Sequence, residues 1–258
     1  MRLPNFQTSS FKVAINLANR VITALIGLIC VPIYVRLIGI ESYGLVAFYA
    51  TLVGALVVLD LGLSTAISRQ VAIFRAKQGS EEDMKDLVFS VEVIYWGLAI
   101  LVGILLILLA EPISLHWVKA KSLPTTSIKQ AVVLMGVIFA FQFPYSIYDG
   151  ILVGLERQVP NAIISLIFSA VKALGVIIAL KFFSSTVECY FLWQAIVTLI
   201  FTLVIRYFVK KYLPSTSRPS RFSKKQLIAI WRFAIGMVGI SLISFFLGQA
   251  DKIVVSKM

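Results

Sequence analysis

Seven stretches of this chain, at about 13–38, 43–67, 87–110, 130–155, 160–182, 187–209 and 227–255, are apolar over lengths that match a bilayer. A helix needs about 20 residues to cross about 30 Å of hydrocarbon. Backbone facing lipid has no water to bond to, so each stretch must satisfy its own hydrogen bonds as a helix. The pattern therefore predicts an all-α, polytopic membrane helix bundle with about seven transmembrane helices. Composition agrees: 59% of the residues are hydrophobic, 14% are charged, and the mean hydropathy is +0.94, outside the range of soluble domains. The first stretch, Val13 to Leu37, is longer than a signal-peptide core and no small-residue cleavage site closes it, so it reads as a retained anchor.

Charge predicts the orientation. Most of the 24 Lys and Arg fall at the amino terminus and in the second, fourth and sixth connections, among them Arg69, Arg75, Lys85, Arg157, Lys210, Lys211, Arg218 and Arg221. By the positive-inside rule these regions, the amino terminus included, are expected in the cytoplasm. A net charge of +12 spread over connections, with no nucleic-acid motif beside it, reads as topology and not as a nucleic-acid footprint.

The connection from Lys210 to Lys225 is rich in Pro and Ser and reads as a flexible cytoplasmic linker. It divides the chain into a six-helix lobe (1–210), a basic linker (211–226) and the first helix of a second lobe (227–258). Offsetting the chain by 221 lays Gly27 on Gly248, Ile22 on Ile243, Thr23 on Ser244 and Arg36 on Lys257. Such weak internal matches occur in transporters built from repeated halves. On that reading the chain is the amino-terminal portion of a protein of about twelve spans.

Ionisable residues inside the spans carry the functional signal. An Arg or Lys at the centre of a membrane helix costs roughly 2.5–3.5 kcal/mol on insertion scales, so such residues face a wet cavity or a partner. Asn16, Asn19, Arg20, Thr23 and Gly27 follow at three- and four-residue steps and form one polar face of the first span. Arg20 and Asp60 each lie about 10 Å inside the cytoplasmic ends of their spans by the helical rise, a depth that would let them form an ion pair. Lys172 sits near mid-bilayer beside Ser169 and Gly175, too deep for its stem to snorkel, which calls for a lumen or an anion. Glu92 and Asp149 are nearer the cytoplasmic ends, where a structural role is expected. Asp251, with Gln249 and Lys252, occupies the outer half of the last span. Pro144, beside Gln142 and Tyr145, is expected to kink its helix, for gating or for packing.

Enzyme signatures are absent from the sequence. His116, the single histidine, stands near Trp117 without a second His or Cys and reads as interfacial; Cys30 and Cys189 lack metal-like spacing and read as packing residues. No metal or cofactor is expected.

Pro32 to Gly39 followed by Tyr43-Gly44-Leu45, Asp60-Leu61-Gly62-Leu63 with Ser68-Arg69, Gly150-Ile151-Leu152-Val153-Gly154-Leu155-Glu156-Arg157, and Asp251-Lys252 occur in an order and at spacings that persist along the whole chain. In this the chain resembles the polysaccharide flippases of the multidrug/oligosaccharidyl-lipid/polysaccharide exporter superfamily. The resemblance implies two six-helix lobes around a central cationic cavity. It also implies translocation of an undecaprenyl-diphosphate-linked oligosaccharide, such as an O-antigen unit of lipopolysaccharide, from the cytoplasmic to the outer leaflet of the bacterial inner membrane by alternating access. A proton or sodium gradient is the implied energy source, and polysaccharide assembly proteins are implied partners beside the lipid-linked oligosaccharide and membrane lipids.

The residues fit that expectation independently. A diphosphate needs opposing cations along a low-dielectric path; Arg20 and Lys172 are the embedded ones, with Arg69 at the cytoplasmic mouth. Asn16, Asn19 and Gln142 are suited to sugar hydroxyls, Asp60 is the candidate coupling carboxylate through its hold on Arg20, and Asp251 is placed toward the crevice between lobes. A drug or cation exporter of the same superfamily would want acidic lumen residues instead, a glycosyltransferase would want acids on a large outer loop, and a non-transporting scaffold in glycan assembly would need neither.

Overall fold

A computed structural model describes residues 9–60, 62–117, 123–216, 218–228 and 230–231. Helices cover six of the seven expected stretches, one of them in two pieces: α1 Ser9–Ile38, α2 Ile40–Leu59, α3 Leu63–Ala76, α4 Glu81–Leu108, α5 Ala110–Pro112 running into a π-helical turn Ile113–Trp117, α6 Thr125–Gly154, α7 Gln158–Phe182 and α8 Val187–Tyr212. Five are long and apolar enough to cross a membrane, at Ala14–Ile38, Glu81–Leu108, Thr125–Gly154, Gln158–Phe182 and Val187–Tyr212, and Ile40–Gly54 is a shorter apolar helix. The bundle is polytopic and all-α among the described residues. Residues 224–228 and 230–231 are helical; the rest of the seventh stretch, with Gln249, Asp251 and Lys252, lies outside the described residues, as do the side chains of His116 and Trp117.

The second span differs from expectation. Instead of one helix over 43–67, the chain breaks between Leu59 and Leu63. Gly62 takes φ +68°, a left-handed conformation that only glycine adopts without steric cost, and hands over to α3. The Asp60 carboxylate accepts from the Ser64 backbone N–H at 3.3 Å, so a charge complements the new helix start.

α6 is the central helix, packed on α3, α4 and α8, while α1 packs on α7 and α7 on α8. Glycines permit its closest approaches. A Cβ on Gly150 would strike the Ser64 carbonyl, one on Gly154 the Ser68 carbonyl, and one on Gly136 would press on the Gly103 carbonyl of α4. Small residues four apart thus bring the α3 and α6 backbones together, a common solution in bilayers, where lipid tails offer helices no hydrophobic penalty to escape. Pro32 and Pro144 lie inside continuous helices; near the carbonyl that Pro144 leaves unbonded, Thr202 Oγ1 donates to Phe141 O at 2.8 Å. Cys30 is buried in the core, and Cys189 Sγ lies 3.7 Å from Ala179 O; both are free thiols.

The reading of the segment after α8 as a flexible linker is corrected. Arg218 makes a bidentate contact with Asp86, at 2.7 and 3.3 Å, and also bonds Glu82. The Arg221 backbone N–H donates to Asp86 at 2.7 Å, that of Ser223 to Ser90 Oγ at 2.8 Å, and Gln226 to Asp83 at 3.1 Å. The first turns of α4 present three acids, Glu82, Asp83 and Asp86, that the composition of the linker itself does not reveal, and they dock it.

Candidate functional site

Four polar side chains of α6, Gln142, Tyr145, Ser146 and Asp149, recur at three- and four-residue steps and share one face of an otherwise apolar helix. Each meets a group from another element. Gln142 Oε1 accepts from Tyr49 OH of α2 at 3.1 Å and from Lys172 Nζ of α7 at 3.4 Å. Tyr145 OH lies 3.3 Å from Ser165 Oγ, and Ser146 Oγ donates to Asp60 Oδ1 at 2.9 Å. Asp149 accepts from Asn161 Nδ2 of α7 at 2.5 Å.

Asp60 is buried and fully engaged. Oδ1 also accepts from Tyr95 OH at 2.8 Å, and Oδ2 from Ser64 Oγ at 2.6 Å. The expected Arg20–Asp60 ion pair is not formed. Hydroxyl donors from α3, α4 and α6 stabilise the Asp60 carboxylate where a cation was anticipated, and Arg20 is exposed on α1. Asp60 lies in the break between α2 and α3, and not on the single straight helix over 43–67 from which its depth was estimated.

Two adjoining cavities open along this face. One, of about 160 Å³, is lined by Gln142, Tyr145, Ser165, Ser169, Lys172 and Thr198 among others. Another, of about 230 Å³, is lined by Asp60, Ser64 and Ser146 and shares Gln142 and Tyr145 with the first. Among the described residues no carboxylate pairs with Lys172, whose bonded partner is the neutral Gln142. The Thr198 hydroxyl, in the same cavity, is buried without a hydrogen-bond partner among the described residues. A cation with an uncommitted charge beside an unsatisfied hydroxyl is an arrangement that an anionic, hydroxyl-rich ligand can complete.

The other expected residues are not gathered here. Asn16 Nδ2 donates to Gln158 Oε1 at 3.4 Å at the start of α7, about 21 Å along the helix from Lys172. Asn19 accepts from Thr23 at 3.5 Å within α1, and Arg20 is exposed on that helix. Arg69 is exposed on α3, roughly two turns beyond Asp60. Polar groups therefore run along the lobe from Lys172 and Gln142 through Ser146 and Asp149 to Arg20 and Asn16. Tyr49, Tyr95, Ser146, Ser165 and Thr198 were not anticipated from sequence. The three- and four-residue spacing of Gln142, Tyr145, Ser146 and Asp149 was the available signal for Ser146. Glu92 has the structural role expected of it, accepting from Arg206 and from Tyr148 OH, which in turn accepts from Trp96 at 2.9 Å.

A family model described as polysaccharide biosynthesis protein matches residues 11–258. The chain belongs to this family. Polysaccharide biosynthesis proteins of this kind are the polysaccharide flippases of the multidrug/oligosaccharidyl-lipid/polysaccharide exporter superfamily, membrane transporters rather than enzymes. Comparisons with curated proteins and with solved structures give no match. The chain is thus a multi-pass membrane protein with a polysaccharide flippase or transporter role.

Proposed function

We propose that this polysaccharide biosynthesis protein moves an undecaprenyl-diphosphate-linked oligosaccharide, an O-antigen or other surface repeat unit, from the cytoplasmic to the outer leaflet of a bacterial inner membrane by alternating access. The observation that carries the reading is Lys172, deep in α7, bonded to a neutral amide and lining a cavity with the unpartnered Thr198 hydroxyl. A diphosphate brings the charge that this ammonium lacks, and sugar hydroxyls suit Gln142, Ser165 and Thr198. Arg20, Asn16, Asn19 and Arg69 form the approach from the basic end of the lobe, which the positive-inside rule puts in the cytoplasm together with the amino terminus. Asp60 is the coupling carboxylate for a proton or sodium gradient. Protonation would weaken the acceptor that ties α3 to α4 and α6 through Ser64, Tyr95 and Ser146, and this hydrogen-bonded hub replaces the Arg20 pair as the element being switched. Asp251 would act from the second lobe, and glycan assembly proteins would supply and receive the substrate.

The test is export in a flippase-deficient strain carrying the intact gene with Lys172→Met or Lys172→Arg at matched membrane levels. Losing a charge-assisted bond to the diphosphate, worth about 1.5–3 kcal/mol, predicts a fall in surface glycan of about tenfold or more for Lys172→Met, with most export kept by Lys172→Arg. Unchanged export by Lys172→Met overturns the cationic path. Failure of the parent chain to restore export would favour a scaffold in glycan assembly.

A further inference from the structure

A third cavity, of about 300 Å³, lies at the basic end between α4, α8 and the segment that follows α8. It has no lining residue in common with the two cavities around Gln142. Tyr148, on its wall, lies off the face of α6 that carries Gln142, Tyr145, Ser146 and Asp149. Three cations line it, Lys85, Arg206 and Lys210, against one carboxylate, Glu92. Glu92 is already committed, since it accepts from Arg206 Nε and from Tyr148 OH at 2.7 Å. The recess therefore keeps a positive surplus. Glu92 also aims the Arg206 guanidinium, and Thr216 Oγ1 accepts from Lys85 Nζ at 3.0 Å and holds it in place.

Apolar side chains, Val88, Phe89, Val209 and Leu213, stand between and around these cations on the same walls. The site thus sets charge and hydrocarbon side by side in one recess at the end of two membrane-crossing helices. That combination is the chemistry of a phosphate-bearing amphiphile. Charge serving membrane insertion alone requires neither an enclosed recess, nor a buried acid orienting an arginine, nor a hydroxyl holding a lysine. Basic pockets between membrane helices take anionic headgroups in this way.

We propose that this recess binds the headgroup of an anionic phospholipid, with Lys85, Arg206 and Lys210 on the phosphodiester and Phe89, an exposed apolar side chain of the same wall, against the first acyl carbons. Ser220, from the segment docked on α4, closes part of the rim, so the lipid is held jointly by the lobe and by the chain leading out of it. A free phosphate satisfies the cations but leaves the apolar wall unused, which separates the two sources of the same chemistry.

Native mass spectrometry of the full-length chain, extracted from nanodiscs of phosphatidylglycerol or of phosphatidylcholine, tests this. The parent should retain phosphatidylglycerol and not phosphatidylcholine, and inorganic phosphate should not displace it. The double change Lys85→Gln and Lys210→Gln should weaken retention by roughly tenfold or more, from the worth of two cations near an anionic headgroup. The charge-matched control Lys224→Gln and Lys225→Gln, outside the recess, should leave it unchanged. Equal loss in the control, equal retention of phosphatidylcholine, or displacement by inorganic phosphate would overturn the proposal. Circular dichroism checks the helices; should the double variant not fold, Lys210→Gln alone, at an exposed side chain, is expected to weaken retention by about threefold or more, and undiminished retention there overturns the proposal as well. The readout is binding, so its outcome does not depend on whether the chain exports glycan.

Discussion

At the scale of single residues, Asp60 is where geometry and sequence reasoning part. Depth along two helices made Arg20 an eligible partner, yet Tyr95, Ser146 and Ser64 supply the bonds that hold the carboxylate. Replacement by Asn keeps an acceptor for Tyr95 and Ser146, and its amide can donate to the Ser64 hydroxyl, giving up only the longer 3.3 Å bond from the Ser64 backbone N–H. Asp60→Asn is therefore expected to unfold in detergent close to the parent temperature. Asp60→Ala strands buried hydroxyl donors and should cost about 1–3 kcal/mol for each one left unpaired, seen as a lowered Tm. If Asp60 couples export to a gradient, Asp60→Asn will fold normally and lose gradient-driven export. Normal export by a well-folded Asp60→Asn would remove Asp60 from that role. The same logic separates Lys172 from Glu92: both are ionisable groups in spans, but Glu92 is met by Arg206 while Lys172 is met by an amide.

At the scale of elements, the break between α2 and α3 and the glycine contacts of α6 form one construction. Irregular backbone at membrane depth is tolerated where protein buries it or where it lines a cavity, and Asp60 and Ser64 line one. α3 can then approach α6 to backbone contact because Gly150 and Gly154 have no side chain to hold it off. Gly154→Leu places a side chain against the Ser68 carbonyl and Val71, and overpacking of this kind costs about 1–3 kcal/mol. Reduced thermal stability and faster hydrogen exchange in α3 are expected, whereas Leu at Gly27, where nothing approaches within 4 Å, should be nearly silent. Equal effects at the two positions would refute this account of the α3–α6 contact. Gly175 plays a similar part under the Trp193 ring, a packing reason for a glycine that the sequence offers only as a small neighbour of Lys172.

At the scale of the whole molecule, the docked segment after α8 fixes how the chain leaves the lobe. Asp86 alone takes a bidentate Arg218 and the Arg221 backbone N–H. The hydrogen bonds that Arg218 donates to Asp86 and Glu82 raise the affinity of its guanidinium for its proton above the ordinary value, so the cation persists across any working pH. Asp86→Ala should release the segment, and limited trypsin cleavage between 210 and 221 should quicken by about tenfold or more, since cleavage follows the population of the open form. An unchanged cleavage rate would mean that Asp86 does not hold it. The sequence by itself determined the helical membrane class, most of the span positions and the family resemblance, because bilayer thickness and backbone hydrogen bonding leave a long apolar run no other fold. It also singled out Lys172, Gln142 and Asp60, because a charged or amide group inside such a run has few innocent explanations. Which groups meet was decided only by tertiary structure. Asp60 went to hydroxyls, Lys172 to Gln142 and Arg218 to Asp86, because partners far apart in sequence are chosen by helix breaks, glycine-permitted approaches and rotations about helix axes, which hydropathy does not encode.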